Sequence, residues 1–170
     1  MKTVIVLAMH GVPPKGYPEM EIVEMFRLHM QLEHMPLEES NPVVIRHHEL
    51  DSKVRNWPRN NDNDPYWAAS NEIAQLLQNK SGLQVIVGFN EFCAPSIDEA
   101  LDEAAKEQPD RIVVVTPMMT RGGEHSEVDI PKAITRAREE HSGIEIVYAW
   151  PFEFEAVVAL LVNQIANYLN

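Results

Sequence analysis

Residues 111–131 read RIVVVTPMMTRGGEHSEVDIP, and the choice of fold turns on this stretch. A β-branched apolar run ends at Pro117, a polar loop with Gly122 and Gly123 follows, and His125 stands in that loop ahead of a predicted helix. In open α/β sheets the ligand crevice lies beyond the carboxyl ends of the strands, so a buried strand emptying into such a loop marks a site. The chain opens in the same way. Thr3 to Met9 is apolar and closes on His10-Gly11. Two strands that each deliver a histidine from the carboxyl end point to a metal or proton-transfer site.

Outward from these two runs, Gln84–Phe89 and Glu145–Ala149 complete a set of four short buried strands with Thr3–Met9 and Arg111–Thr116. Helical patterns lie between them. Pro95 leads into SIDEALDEAA, whose early acids favour a helix start and whose Ile97, Leu101, Ala104 and Ala105 form a buried stripe. Further helices are predicted over Val128 to His141 and Phe152 to Leu169. Strand–helix alternation implies right-handed crossovers and a parallel sheet covered on both faces. The expected fold is a single α/β domain over residues 1–170, a flavodoxin-like doubly wound sheet of order 2-1-3-4.

Val12 to Asn63 breaks the rhythm. Pro18 to Met35 has helical spacing in Ile22, Val23, Phe26 and Met30, and it carries His29 and His34. Asn41-Pro42 reads as an N-cap with proline at the first helical position. Val43, His47, Leu50, Val54 and Trp57 then recur at 4-3-4-3 spacing, which favours a helix. PRNNDNDP at 58–65 is a loop, and a helix runs from Tyr66 to about Gln78. The first crossover therefore holds an inserted helical hairpin at about 12–63.

Composition narrows the functional classes. Apolar residues at 45% and charged residues at 24% fit a globular protein. No apolar run reaches the roughly 20 residues that span a bilayer. MKTVIVLAMHG lacks a small-residue cleavage site and stops at a histidine, so it reads as a buried strand and not as a secretion signal. Cys93 is the single cysteine, which leaves no internal disulfide and suits a reducing cytoplasm. A formal charge of −12 without a basic stripe argues against nucleic acid. No Gly-rich loop follows the first strand, which disfavours a phosphate-binding sheet.

In the order 2-1-3-4 the first strand lies between the second and third, so His10, Asn90-Glu91 and the Met118–His125 loop share one crevice. Two imidazoles and a carboxylate suit first-row divalent metals and leave coordination positions open. Each residue has a plainer reading as well. His10 can be a loop or cap donor, Glu91 a solvated turn residue, and His125 a helix cap. Glu124, Glu127 and Asp129 can serve only to complement the helix dipole. His47-His48 diverge on a helix and make a poor chelating pair. Cys93 is either a soft ligand near Glu91 or a small buried hydrophobe.

Three blocks, VIVLAMHG, VIVGFNEFCAPSIDEALDEA and RIVVVTPMMTRGGEHSEVDIP, give the chain its likeness to a known family, with a weaker echo in YAWPFEFEAVVALLVNQI. The sequence resembles the short CbiX-type sirohydrochlorin chelatases of cobalamin and sirohaem synthesis. The match covers roughly residues 1–11 and 64–170. The resemblance implies that His10 and His125 bind metal and abstract protons, and that Glu91 is the accompanying carboxylate. It implies a tetrapyrrole and a divalent metal as substrates, with cobalt first and iron or nickel next, and no organic cofactor. A homodimer is expected too.

The tetrapyrrole is a polyanion, so a chain of charge −12 must bind it through local donors. Candidates are Lys15, Arg121, the amides of Gly122-Gly123 and the N-terminus of the following helix. Gly11, Met118 and Met119 are expected beside the substrate, although many relatives carry bulky aliphatic or aromatic residues at the two methionine positions. The insertion departs from compact relatives. Covering the macrocycle, dimerisation and padding are all open to it. A non-catalytic metal carrier or tetrapyrrole-binding module using the same residues is the alternative to an enzyme.

Overall fold

Seven residues of alternating β-branched and aliphatic character, Thr3–Met9, form strand β1, which is buried from Val4 onward because it runs through the middle of the sheet. In the computed structural model, which describes residues 1–32, 38 and 40–169, β1 pairs in parallel with β2 (Gln84–Phe89) on one side and β3 (Arg111–Val115) on the other. β4 (Glu145–Tyr148) pairs with β3, giving the order β2-β1-β3-β4. The expected topology is therefore the observed one, with β3 and β4 each one residue shorter than the sequence reading.

One face of the sheet is closed by α4 (Ile97–Lys106) and α5 (Ile130–Glu140). Val4, Val6, Ile112, Val114 and Ile146 meet Ile97, Leu101, Ile130 and Ile134 in the main core. α4 starts two residues later than Pro95 suggested. Ser96 is the N-cap, and it forms a reciprocal capping box with Glu99, so Pro95 lies outside the helix. The predicted Val128 start is also revised. A π-helical turn at His125–Asp129 runs straight into α5, so His125 sits in the first turn of a helix and not in a loop before it. Pro131 has no N–H for a normal helical bond to Glu127, and the wider turn is closed instead by the Ile130 N–H to the His125 carbonyl.

The other face carries α3 (Pro65–Ser81), capped at Asp64, whose Ala74 packs with Leu7, Met9, Phe89 and Cys93. The inserted hairpin is present as α1 (Glu19–Leu32) and α2 (Pro42–Arg55). Asn41 caps α2 as expected, accepting from the Val43 N–H at 2.9 Å. Of the stripe Ile22, Val23, Phe26 and Met30, only Ile22 joins the buried face of α1. Met25 and Leu28 are buried against Leu50, Val54 and Phe92, whereas Val23, Phe26 and Met30 are exposed, because the position of α2 selects the inward side. His34 and Met35 lie outside the described residues. α6 spans Phe154–Ala166, shorter than the predicted Phe152–Leu169, and none of its residues is buried.

Candidate metal centre

His10, Glu91 and His125 come together at the carboxyl edge of β1, β2 and β3. One ligating atom from each lies within 4.8 Å of the others, and all three side chains are half-buried. Glu91 Oε1 is 3.4 Å from His10 Nε2 and 3.6 Å from His125 Nε2. The two imidazoles meet edge to face, with centroids 4.6 Å apart.

Backbone bonds beyond the strands produce this closeness. The β1–β2 ladder continues past its last paired residues, with Asn90 N–H donating to Met9 and Glu91 N–H to His10. The His10 N–H donates to the Tyr66 hydroxyl at 3.1 Å, which ties the histidine to the start of α3. Gly11 is needed for the same approach. Its φ is +101°, and a Cβ there would lie 1.8 Å from the Glu91 carbonyl oxygen. Gly11 is thus buried beneath the Glu91 backbone. On the β3 side, the Tyr148 hydroxyl donates to the Ser126 carbonyl at 2.9 Å and holds the π-helical turn against β4.

The remaining ring nitrogens determine what the cluster can do. His10 Nδ1 lies 2.6 Å from the Gly11 carbonyl, and His125 Nδ1 lies 2.7 Å from the Asp129 carboxylate. A carbonyl and an ionised carboxylate only accept, so each neutral ring keeps its proton on Nδ1 and turns the Nε2 lone pair toward Glu91. Three acceptor atoms facing one another repel unless a cation lies between them. A divalent metal or a proton meets that requirement. Sequence reading took Asp129 for a dipole complement. Its i,i+4 spacing from His125 was the available signal, and the structure makes it the residue that orients the imidazole.

The other candidates fall in different places. Cys93 is buried among Leu7, Met9, Ala74 and Phe89, and desolvation pushes its thiol up to about 11, so the soft-ligand reading is replaced by the hydrophobic one. His47 meets His29 and His48 at ring distances of 5.7 and 6.3 Å on the hairpin, outside the His10–Glu91–His125 cluster. Met118 is half-buried against the main core and Met119 is half-buried in the loop. Arg121 is exposed and lies 5.0 Å over the Phe154 ring. The Gly122 amide is taken by the Glu127 carboxylate at 2.8 Å, so it is not the free anion donor expected of it. Gly123 is exposed, with its carbonyl accepting from Ser126 and Glu127, and Lys15 is exposed. The helix N-terminus proposed as a donor is shifted to the π-helical turn that begins at His125.

Beside the cluster a cavity of about 220 Å³ is lined by Asn90, Ser96, Asp129, Lys132 and Arg136 among others. Lys132 has no ion pair among the described residues, whereas Arg136 is paired with Asp98 at 2.8 Å. A further close group, Asp102, Glu140 and His141, lies on the surface between α4 and the end of α5, with His141 Nε2 hydrogen-bonded to Asp102 at 2.7 Å.

The chain is 36% identical over 93 residues to a sirohydrochlorin cobaltochelatase of Sulfurisphaera tokodaii, covering 55% of this chain and 72% of that protein. It is 38% identical over 64 residues to a sirohydrochlorin cobaltochelatase of Methanopyrus kandleri, covering 37% of this chain and 44% of the other. Among solved structures, the sirohydrochlorin chelatase SirB from Bacillus subtilis subspecies spizizenii in complex with cobalt aligns at 20% identity with a TM-score of 0.48, over 98% of this chain and 51% of that one. The chain thus spans less than half the length of the Methanopyrus protein and about half that of the Bacillus one. The CbiX family profile matches residues 63–168, beginning where the inserted hairpin ends. Glu91 and His125 fall inside that segment, and His10 reaches them through the central position of β1. On the extent of this match, the chain belongs to the CbiX family.

Proposed function

We propose that this chain inserts a divalent metal into sirohydrochlorin or a related tetrapyrrole, with cobalt first and iron or nickel as the other candidates. The observation that carries the reading is the convergence of two Nε2 lone pairs and one carboxylate oxygen within 4.8 Å, each ring being held from behind by an acceptor at Nδ1. Metal–nitrogen and metal–oxygen bonds of ~2.0–2.2 Å fit a cation among atoms at these separations. Three protein ligands leave coordination positions open to the macrocycle. The names of the relatives support the same reaction, and they include a sirohydrochlorin ferrochelatase from Priestia megaterium.

The reaction exchanges one metal ion for two pyrrole N–H protons. Each imidazole meets the site through Nε2, so a ring cannot hold the metal and take a proton at the same moment. The roles are sequential. His10 and His125 release the metal to the macrocycle, and their two freed Nε2 atoms then accept the two pyrrole protons. Glu91, touching both rings, balances the charge as it passes from metal to proton. A chain of charge −12 enriches metal cations near its surface and repels a polycarboxylate, so Lys15, Arg121 and Lys132 are the local cations for the substrate.

The test is an anaerobic assay of the visible spectrum of sirohydrochlorin with Co²⁺, Fe²⁺ or Ni²⁺, measured against the spontaneous rate. Acceleration is expected for the native chain. His10→Ala and His125→Ala together should reduce the rate to background while circular dichroism stays unchanged. Turnover retained in that double variant would sink the mechanism. Tight metal binding with no acceleration in the native chain would identify a carrier instead.

A further inference from the structure

β2 runs out into a turn that the backbone alone does not favour. The segment Asn90-Glu91-Phe92-Cys93-Ala94 reverses at Phe92, whose φ of +59° lies in the left-handed region. The Cys93 N–H donates to the Glu91 carbonyl at 2.7 Å, which closes a three-residue turn of the rare, strained γ type. A side chain as large as phenylalanine keeps such a φ only where its surroundings force it.

Those surroundings are the inserted hairpin. Phe92 is 4% exposed and packs among Tyr17, Met25, Leu28, Leu50 and Val54, with the Phe26 ring 5.7 Å away. Two arginines of the same insertion take the carbonyls. Arg55, the last residue of α2, donates from Nη2 to Asn90 at 2.8 Å and from Nη1 to Cys93 at 2.9 Å. Its Nε is held by Asp51 at 2.7 Å, and its own carbonyl accepts from the Ala94 N–H at 3.2 Å. Arg59 donates to the Phe92 carbonyl. Every carbonyl from Asn90 to Cys93 is thus held, three by the insertion and that of Glu91 by the turn itself.

The clamp closes on the backbone around Glu91 and leaves its side chain to the site. Among the described residues that carboxylate meets only His10 and His125, at 3.4 and 3.6 Å. Before metal binds, these three groups are acceptors turned toward one another, and their repulsion favours a glutamate swung out to water. A carboxylate on a loose turn takes that route and has to be ordered again when a cation arrives, which weakens binding. Fixing the backbone on both sides of Glu91 removes much of that freedom. We propose that Arg55 and Phe92 are positioning residues for the metal: through them the inserted hairpin grips the Asn90–Ala94 turn and presets Glu91 opposite His10 and His125. The insertion then acts on metal affinity without touching the metal. This role rests on Glu91 being one of the metal ligands of the proposed function.

Cobalt binding to the full chain, without tetrapyrrole, reads the role directly. Co²⁺ is titrated into the native chain, Arg55→Met, Glu91→Gln and the double variant. Calorimetry gives Kd, and the visible d–d bands of the ion report its ligand set. Arg55→Met is expected to raise Kd ~10–100-fold and to give the bands of Glu91→Gln, with circular dichroism unchanged. In the double variant the two losses should not add, because both remove the same ligand. Phe92→Gly accepts the turn without the anchoring ring and should weaken Co²⁺ in the same way. Together with Arg55→Lys, which keeps the Asp51 pair, it carries the comparison if Arg55→Met does not fold. Native Co²⁺ affinity in the folded Arg55 and Phe92 variants overturns the proposal. Losses that add fully in the double variant overturn it too, since they mark a general effect on the fold. Native affinity and bands in Glu91→Gln remove Glu91 from the metal, and the reading of the site falls together with this role.

Discussion

Asp129 accepts the Nδ1 proton of His125 at 2.7 Å and so decides which nitrogen faces Glu91. Losing such an orienting partner lowers metal affinity or activity by ~10–100-fold. Asp129→Ala is therefore expected to reduce kcat/KM for metal insertion by about that factor, and Asp129→Asn should recover part of it because the amide oxygen still accepts; helix content should not change in either. Cys93 behaves differently. Its buried thiol, pushed up to about 11, should resist iodoacetamide at pH 8 in the folded protein and react once the chain is unfolded in urea. Cys93→Ala should leave the insertion rate unchanged. His10, Glu91 and His125 were legible in the sequence because each lies at or beyond the carboxyl end of an apolar strand. The supporting residues were not, since Tyr66 and Gly11 act through contacts with partners distant in sequence.

At the scale of elements, the helix caps were partly legible and the buried faces were less so. Asn41-Pro42 caps α2 through a local bond that the sequence spells out, whereas Asp64, the cap of α3, stood in the loop of the sequence reading. The π-helical turn at His125 was missed because proline inside a helix has more than one outcome, and only the packing of Ser126 under Tyr148 selects this one. The hairpin contributes a pH dependence of its own. Burial lowers the His47 pKa from its ordinary value, with His29, His48 and Arg55 adding to the effect and Asp51 opposing it. A folded pKa below the unfolded one means that the unfolded chain takes up the proton first as pH falls. Stability is then full above about 6.5 and is lost progressively below it. Thermal melting at pH 7.5 and 5.5 should show that loss, and His47→Gln should flatten this part of the slope. An unchanged slope would remove His47 as its source.

Over the whole molecule, one buried cation joins the insertion to the site. Arg59 pairs with Asp64, the N-cap of α3, and donates to the carbonyls of Val12, Val54 and Phe92, so it joins the first crossover, α2 and the loop after Glu91. Both members of the pair are almost wholly buried, at 5% and 1% side-chain exposure. Removing one partner leaves an uncompensated buried charge, which costs ~3–5 kcal/mol. Arg59→Met should lower the urea midpoint by a corresponding amount, whereas a loss below ~1 kcal/mol would mean that the pair is solvated. The same substitution should slow metal insertion at temperatures where the fold persists, since it frees the backbone at Phe92, next to Glu91, and at Val12, two residues beyond His10.

The sequence alone determined the class of sheet, the strand order and the three residues that converge at its edge. Buried parallel strands are continuous apolar runs, and the crossover rule leaves few ways to arrange four of them. Tertiary structure decided which side of α1 faces inward, that Cys93 is core, that Asp129 orients His125, and that α6 is left without a place on its own sheet. These are contacts between residues far apart in the chain. Periodicity shows that a helix has an apolar face, and only the packed molecule shows what that face meets.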